Sequence, residues 1–213
     1  MFKPYKKTLM ITSILTLLPI LIGLILWKDL PEQVPTHWGL DGNPDQHSSR
    51  ATAVFALPIV LFLLQYVAIY VSALDKRNKN QNPKVMKLVL LIIPIVSLLV
   101  NALVYATVLG FEVSPIRIVT LILSIMFIIL GNYLPKCIHN HTIGIKIKWT
   151  LENEENWYAT HRFAGKVWTM GGCIQFITLF FPISIANIIL IGTSLFMFAL
   201  PVLYSYQYLK NHS

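Results

Sequence analysis

Long apolar segments dominate this sequence and restrict what it can fold into. A helix needs about 20 mainly apolar residues to cross a hydrocarbon core roughly 30 Å thick. The chain has 213 residues, of which 55% are hydrophobic and only 12% are charged, unlike the composition of a soluble domain. We therefore predict an all-α integral membrane protein with about six transmembrane helices. The predicted spans cover approximately residues 8–27, 51–74, 86–110, 116–134, 163–181 and 183–208.

The first apolar segment, LMITSILTLLPILIGLILW, follows three lysines, as the apolar part of a secretory signal does. Its apolar core is longer than that of a signal peptide, and no A-x-A-like cleavage site follows it. We therefore predict that this segment is a membrane span.

Lysine and arginine are distributed unevenly between the predicted loops. Of the 17 in the chain, 14 belong to termini and loops on one face, and only Lys28, Arg50 and Arg117 belong to the other. Because these residues accumulate on the cytoplasmic side of a membrane, both termini are predicted to be cytoplasmic. The net charge of +8 then reflects topology and contact with anionic lipid in the bilayer, rather than direct binding of nucleic acid.

Two of the predicted connections are expected to be structured. The outer loop, residues 28–50, contains prolines, glycines and a DGNP turn, so we predict an ordered, non-helical loop outside the bilayer. The inner loop covers residues 135–162, whereas the basic segment 75–87 is predicted to be a solvated connector with no further role. This organisation predicts three regions, each with its spans: 1–75 with the outer loop, 76–115 with the basic linker and the third span, and 116–213 with the inner loop.

The inner loop contains several local signals. Pro135 is expected to end the fourth helix, and residues 143–149, IGIKIKW, alternate apolar and basic side chains like a short strand or an extended segment at the membrane interface. Asn153 is a candidate N-cap, with Glu154 and Glu155 in the first turn, where carboxylates favour the helix dipole. We predict one continuous helix from this cap into the fifth span.

Aromatic side chains recur along this part of the sequence. At helical spacing, one face of the predicted helix carries Trp157, His161, Ala164 and Trp168. Tryptophans are enriched where a helix crosses the membrane interface. The predicted aromatic belt consists of Trp149, Trp157 and Trp168, and the predicted basic rim consists of Lys136, Lys146, Lys148, Arg162 and Lys166.

Two groups of side chains contain atoms that bind metals, but neither predicts a metal site. The inner group has no HExxH or comparable spacing, and the outer group is explained by polar residues in a turn-rich loop. No cofactor is predicted, and Cys137 and Cys173, which differ in predicted depth, are expected to pack rather than form a disulfide. The inner group is His139, His141, His161, Glu152, Glu154 and Glu155; the outer group is His37, Asp41, Asp45 and His47.

The predicted spans contain no Asp or Glu, so they lack the buried carboxylates of many ion-coupled carriers. Their uncharged polar residues, Gln65, Asn101, Gln175 and Asn187, are predicted to hydrogen-bond between helices. The pair Gly171-Gly172 is predicted to allow close helix contact. No GxSxG motif, phosphate-binding loop or nucleophile–base spacing occurs, so an enzyme is not predicted.

Two stretches resemble a known family. GNYLPK, GIKIKWTLENEENW and HRFAGK, followed by the glycine pair, resemble the C-terminal signature of the SdpI family of bacterial membrane immunity proteins. The outer loop LPEQVPTHWGLDGNPD resembles the DUF1648-type module that accompanies this signature in many members. The resemblance implies a multi-pass protein of the bacterial cell membrane that protects against a secreted peptide toxin of the sporulation-delaying type. It also implies possible signal transduction, in which a cytoplasmic autorepressor of the ArsR type is captured at the membrane.

The resemblance assigns one binding surface to each face of the membrane, and we place the candidate residues accordingly. The toxin-facing candidates in the outer loop are Val34, His37, Trp38, Asp41 and Asp45. The repressor-facing candidates in the inner loop are Lys146, Lys148, Trp149, Glu154, Glu155, Trp157, His161 and Arg162.

Two alternative functions remain open at this level. One is a small permease or efflux carrier for a peptide or lipid-like molecule. The other is a membrane-embedded metalloenzyme.

Overall fold

The computed structural model describes residues 5–212 and is mostly helical. Its helices begin and end where apolar segments meet loops rich in proline, glycine and charged residues. A short hairpin lies between the first two helices. The elements in chain order are α1 (Lys6–Ile25), β1 (Gln33–Trp38), β2 (Pro44–Ser49), α2 (Arg50–Leu74), α3 (Pro83–Val108), α4 (Pro115–Tyr133), α5 (Lys148–Glu152), α6 (Glu154–Thr178) and α7 (Ile183–His212).

Five helical segments are long and apolar enough to cross a membrane, so the chain is a multi-pass membrane protein. The predicted span at 163–181 does not have this character. Helix α6 begins much earlier, carries Glu154, Glu155, Arg162 and Lys166 in its first half, and ends at Thr178. The apolar part of α6 is therefore short. Because both termini lie on one face only if the number of spans is even, their cytoplasmic placement stays a prediction. The five segments are Lys6–Ile25, Arg50–Leu74, Pro83–Val108, Pro115–Lys136 and Ile183–His212.

The chain divides into two compact units. The first combines the segment up to Leu74 with Met86–Ile118, and the second combines Asp75–Val85 with the segment from Val119 onward. The two units are therefore not continuous in the sequence, because the connector after α2 packs with the C-terminal part of the chain.

In the first unit, buried polar side chains join the helices. The Gln65 side-chain amide donates to the Thr12 hydroxyl at 2.8 Å and accepts from the Thr16 hydroxyl at 3.2 Å, which links α2 to α1. Helix α3 is linked to α1 by the Ser97 hydroxyl, which donates to the Thr16 carbonyl oxygen at 2.7 Å. The predicted interhelical role of Gln65 is confirmed, whereas Asn101 donates to Ser97 O within its own helix at 2.8 Å.

The outer loop contains a two-stranded antiparallel hairpin, β1–β2. The prediction of an all-α fold was therefore wrong in this segment. Gly42 has a φ of +84°, a conformation that glycine adopts readily and that permits the tight turn. The base of the hairpin is anchored by a buried apolar cluster that includes Leu30, Val34, Val54 and Tyr105.

In the second unit, α6 packs closely against its neighbours through glycines. A Cβ atom on Gly172 would lie 2.7 Å from the Ser124 carbonyl oxygen of α4, and one on Gly171 would overlap Met197 of α7. The Gln175 amide donates to the Thr193 hydroxyl of α7 at 3.0 Å. The predicted roles of the glycine pair and of Gln175 in helix contact are thus confirmed.

Candidate functional site

The tip of the outer hairpin is held by hydrogen bonds within the turn. The Asp41 carboxylate accepts from the Asn43 side chain at 2.9 Å and from the Asn43 backbone N–H at 3.1 Å. These bonds, the side-chain bond first, hold the pKa of Asp41 below its usual value. His37 Nδ1 lies 2.6 Å from an Asp45 carboxylate oxygen across the strands. The two aspartates are therefore presented in fixed positions on an exposed surface.

The five residues predicted to face a toxin do not all reach this surface. His37, Asp41 and Asp45 are exposed and Trp38 is half-buried, but Val34 is completely buried in the cluster under the hairpin. Val34 is the one completely buried residue of β1, and it packs with Leu30 and Val54 in that cluster. Sequence analysis missed Leu40, whose 69% exposure puts an apolar side chain next to Asp41 at the tip.

The inner loop is folded around Trp157 and His161, both completely buried. Their rings are stacked with centroids 4.0 Å apart, and the Trp157 indole N–H donates to the Cys137 carbonyl oxygen at 3.0 Å. Gly144 adopts a φ of +124°, and a Cβ there would overlap His161 Nε2. Glycine is therefore required at 144 by backbone conformation and by space.

His161 is held in one neutral tautomer. Its Nδ1–H donates to the Trp157 carbonyl oxygen at 2.8 Å, and its Nε2 accepts from the Ile145 N–H at 3.0 Å. Burial lowers the pKa of His161 to about 4, so the ring stays uncharged at neutral pH. This histidine fixes the loop backbone and is not available to a cytoplasmic partner.

Asn140 is the centre of the polar contacts in this loop and is completely buried. Its side-chain amide donates to the Ile138 and Ile143 carbonyl oxygens at 2.7 and 2.9 Å. Its oxygen accepts from the backbone N–H groups of Thr142 and Ile143 at 2.7 and 2.6 Å. One side chain therefore holds the backbone of residues 138–143. Of the two forms predicted for residues 143–149, the strand was wrong: the chain is irregular up to Ile147, which is extended, and α5 begins at Lys148.

The connector after α2 closes over this loop, so its prediction as a solvated segment without a role was wrong. Residues Lys76–Asn80 form a 3-10 helix, and Asn78 and Gln81 are buried. The Gln81 side-chain oxygen accepts from the Ile138 N–H at 3.3 Å, and the Asp75 carboxylate accepts from the His141 N–H at 2.7 Å.

The Asp75 carboxylate also caps the connector's 3-10 helix, since it accepts from the Arg77 N–H at 3.0 Å. Burial acts to raise the pKa of this carboxyl, but the N–H groups of His141 and Arg77 outweigh it and lower the pKa. Asp75 is therefore an ionised anchor between the connector and the inner loop.

The local signals at the start of α6 are confirmed. The Asn153 side chain accepts from the Asn156 N–H at 2.8 Å, Glu154 and Glu155 occupy the first turn, and the helix continues without a break to Thr178. Asn156 is buried and donates to the Ser205 carbonyl oxygen of α7 at 3.0 Å.

The eight residues predicted to face a repressor separate into three groups by burial. Trp157 and His161 lie in the interior, so neither is a surface contact, and Trp157 does not belong to an interfacial belt. Trp149 is half-buried against Tyr206, with ring centroids 5.1 Å apart. The remaining candidates, Lys146, Lys148, Glu154, Glu155 and Arg162, are exposed.

The two cysteines are both free thiols. Burial raises the pKa of the Cys137 thiol to about 11, which keeps it in the unreactive protonated form. Among residues 5–212, no three His, Cys, Asp or Glu side chains are grouped so that they could hold a metal ion.

Comparison with known proteins identifies both loops as parts of recognised regions. The family model described as the SdpI/YfhL protein family matches residues 136–205, and the model of a domain of unknown function, DUF1648, matches residues 14–62. The immunity protein SdpI of Bacillus subtilis (strain 168) is 32% identical over 212 residues, which is 97% of each chain. The chain belongs to the SdpI family. No solved structure gives a significant match.

The matched regions of this SdpI-family chain contain most of the residues described above, whereas the connector residues Asp75 and Gln81 lie outside both. The outer hairpin lies within the N-terminal match, and the Trp157–His161 core with α6 lies within the C-terminal match. The family resemblance inferred from the motifs is thus confirmed over almost the whole chain.

Proposed function

We propose that this protein confers immunity to a secreted peptide toxin of the sporulation-delaying type and acts as a binding protein rather than as an enzyme. The observation that carries this proposal is the 32% identity to the immunity protein SdpI over 97% of both chains. The alignment covers nearly the whole of both chains, so it includes both the outer hairpin and the inner loop.

The outer hairpin supports the toxin-binding part of the proposal through its charge and shape. Residues 31–49 contain Glu32, Asp41 and Asp45 but no Lys or Arg, so the surface favours a cationic peptide. Leu40 and Trp38 place apolar area beside the carboxylates. An amphipathic cationic peptide has the matching combination of charge and apolar surface.

We expect the double variant Asp41→Asn, Asp45→Asn to lower the toxin concentration that a sensitive Gram-positive host survives by about tenfold, since two exposed charge contacts are lost. Asparagine keeps the shape of each side chain and an oxygen for the turn. Survival is measured by toxin titration, with membrane insertion checked by immunoblotting.

The matched control for this experiment is Asp29→Asn with Glu112→Gln, which removes the same charge from exposed positions outside the hairpin. Equal survival of both double variants would reject the hairpin as the toxin surface. Absence of protection by the unmodified, inserted protein would reject immunity to the tested toxin class.

We further propose that the inner surface captures a cytoplasmic repressor of the ArsR type when toxin is present. The support is the row of exposed charged groups, Lys146, Lys148, Glu154 and Glu155, beside the half-buried Trp149. These side chains project from the segment just before α5, from α5 and from the first turn of α6, whose backbone is held by the Trp157–His161 core. A partner therefore meets a preorganised surface.

The combined variant Lys146→Gln, Trp149→Ala is expected to reduce toxin-dependent recruitment of a fluorescent ArsR-type repressor to the membrane by at least about fivefold, because an interfacial tryptophan and a charge contact are removed. Recruitment is measured by microscopy of cells expressing both proteins. Lys210→Gln, a cation at the end of α7, is the control. Undiminished recruitment by the inserted variant would contradict this assignment.

A further inference from the structure

A cavity of about 640 Å³ lies in the second unit, between the last turn of α4 and the first half of α6. Gly131 and Pro135 line it from the α4 side, Arg162 and Lys166 from α6, and Tyr204 from α7. The apolar segment that contains α4 ends at Lys136, so the cavity lies where a membrane span meets the interface. It is separate from the Trp157–His161 core.

The floor of the cavity consists of backbone and small side chains. A Cβ on Gly165 would lie 2.7 Å from the Gly131 carbonyl oxygen and 2.8 Å from Pro135, so α4 and α6 are in backbone contact there. One wall is the Phe163 ring, stacked on Tyr204 with centroids 4.4 Å apart and planes at 7°. This framework is closely packed, which makes the space above it a defined recess.

Two cations lie at the edge of this recess. Arg162 and Lys166 are one helical turn apart, both exposed, and repel each other as like charges at this spacing. Within the described part of the chain, the only oppositely charged pair within 4.0 Å is His37–Asp45, so no carboxylate neutralises either cation. The site therefore offers two positive charges to an anion from outside the protein.

The chemistry of the lining changes along α6. Phe163 directly follows Arg162, and the 63% exposed Met170 lies one turn beyond Lys166, so apolar surface adjoins both cations. An amphiphile with an anionic head and a hydrocarbon chain matches both parts, whereas a free anion matches the charges alone. Basic pockets between transmembrane helices on the cytoplasmic side are suited to anionic lipid head groups.

We propose that this cavity binds the phosphate of an anionic phospholipid, with Arg162 and Lys166 contacting the head group and the Phe163–Tyr204 wall packing against the chain. Arg162 is thereby assigned to the bilayer rather than to a cytoplasmic partner. The lipid site does not depend on toxin or repressor binding.

The test uses the full-length protein in a nonionic detergent, titrated with dioleoylphosphatidylglycerol and observed by native mass spectrometry. One lipid molecule per protein is expected to bind more tightly than any further molecules of the same lipid. The variant Arg162→Gln, Lys166→Gln is expected to weaken this binding about 25-fold, at about fivefold for each cation removed. The control Lys76→Gln, Lys79→Gln removes the same charge from exposed positions of the connector, outside the cavity, and is expected to change the binding less than twofold.

Further arms of the experiment separate the possible sources of the effect. The charge-preserving variant Arg162→Lys, Lys166→Arg is expected to bind within about threefold of the unmodified protein, and elution as a single species shows that each variant is folded. Equal binding of dioleoylphosphatidylcholine, full competition by equimolar inorganic phosphate, or equal loss in the control variant would each overturn the lipid proposal.

Discussion

Replacing Trp157 by alanine is expected to lower the free energy of unfolding by about 3–5 kcal/mol, the range for removing a large buried aromatic side chain. Trp157 is completely buried, stacks on His161 and donates its indole N–H to Cys137. Its loss leaves a cavity at the centre of the inner loop and an unpaired carbonyl oxygen. Thermal unfolding in detergent micelles measures the effect.

Two further variants separate the causes of this loss. Trp157→Phe keeps most of the apolar volume but removes the donor to the Cys137 carbonyl oxygen, so it is expected to cost about 1–3 kcal/mol. Trp149→Ala removes a half-buried ring that packs against Tyr206. It is expected to lower the free energy of unfolding by less than about 1.5 kcal/mol. If the Trp149→Ala and Trp157→Ala variants unfold at the same temperature, Trp157 is not the core of the inner loop.

Substitution of Asn140 by leucine is expected to open the inner loop locally, at a cost of at least about 3 kcal/mol. The buried side chain satisfies two carbonyl oxygens and two backbone N–H groups of half-buried residues, and each group left unpaired and shielded from water costs about 1–3 kcal/mol. Leucine has the same number of side-chain heavy atoms and the same branch point as asparagine but no hydrogen-bonding group, so the variant removes all of these bonds. Hydrogen exchange of residues 138–147 is the measurement, and protection there is expected to fall about 100-fold.

The control for the Asn140 variant is His141→Ala. The His141 side chain is exposed, and its backbone N–H still donates to Asp75 after the substitution. Asn140→Asp keeps the acceptor oxygen but loses both donors, so its exchange rates are expected to lie between those of the unmodified protein and the leucine variant. Unchanged protection in Asn140→Leu would show that the loop is held by its apolar contacts alone.

The predictions that succeeded depended on residue type and on neighbours in the chain. Asn153 was recognised as a cap because its partner is three residues away, and the continuity of α6 followed from the absence of a breaker. The glycine pair was recognised because small residues permit close helix contact, and Gln65 because a polar group in a span needs a partner.

Two of the predictions that failed concerned which side chains are inside. Trp157 was placed in an interfacial belt and Val34 on a binding surface because each has the right residue type for that position. Their burial depends on segments distant in the chain, such as Cys137 for Trp157 and Val104 for Val34. The exposed fraction of a residue follows from the whole packing arrangement, which local periodicity does not contain.

The sequence by itself determined that this chain crosses a membrane, where five of its six predicted spans lie, and to which family it belongs. These properties follow from segment length relative to the hydrocarbon core and from motifs read along the chain. Only the tertiary structure decided that Asp75 and Gln81 hold the loop around Asn140, and that Arg162 and Lys166 border a cavity. The physical reason is that buried polar groups must find partners, and here these partners are separated by 57 and 66 residues in the chain.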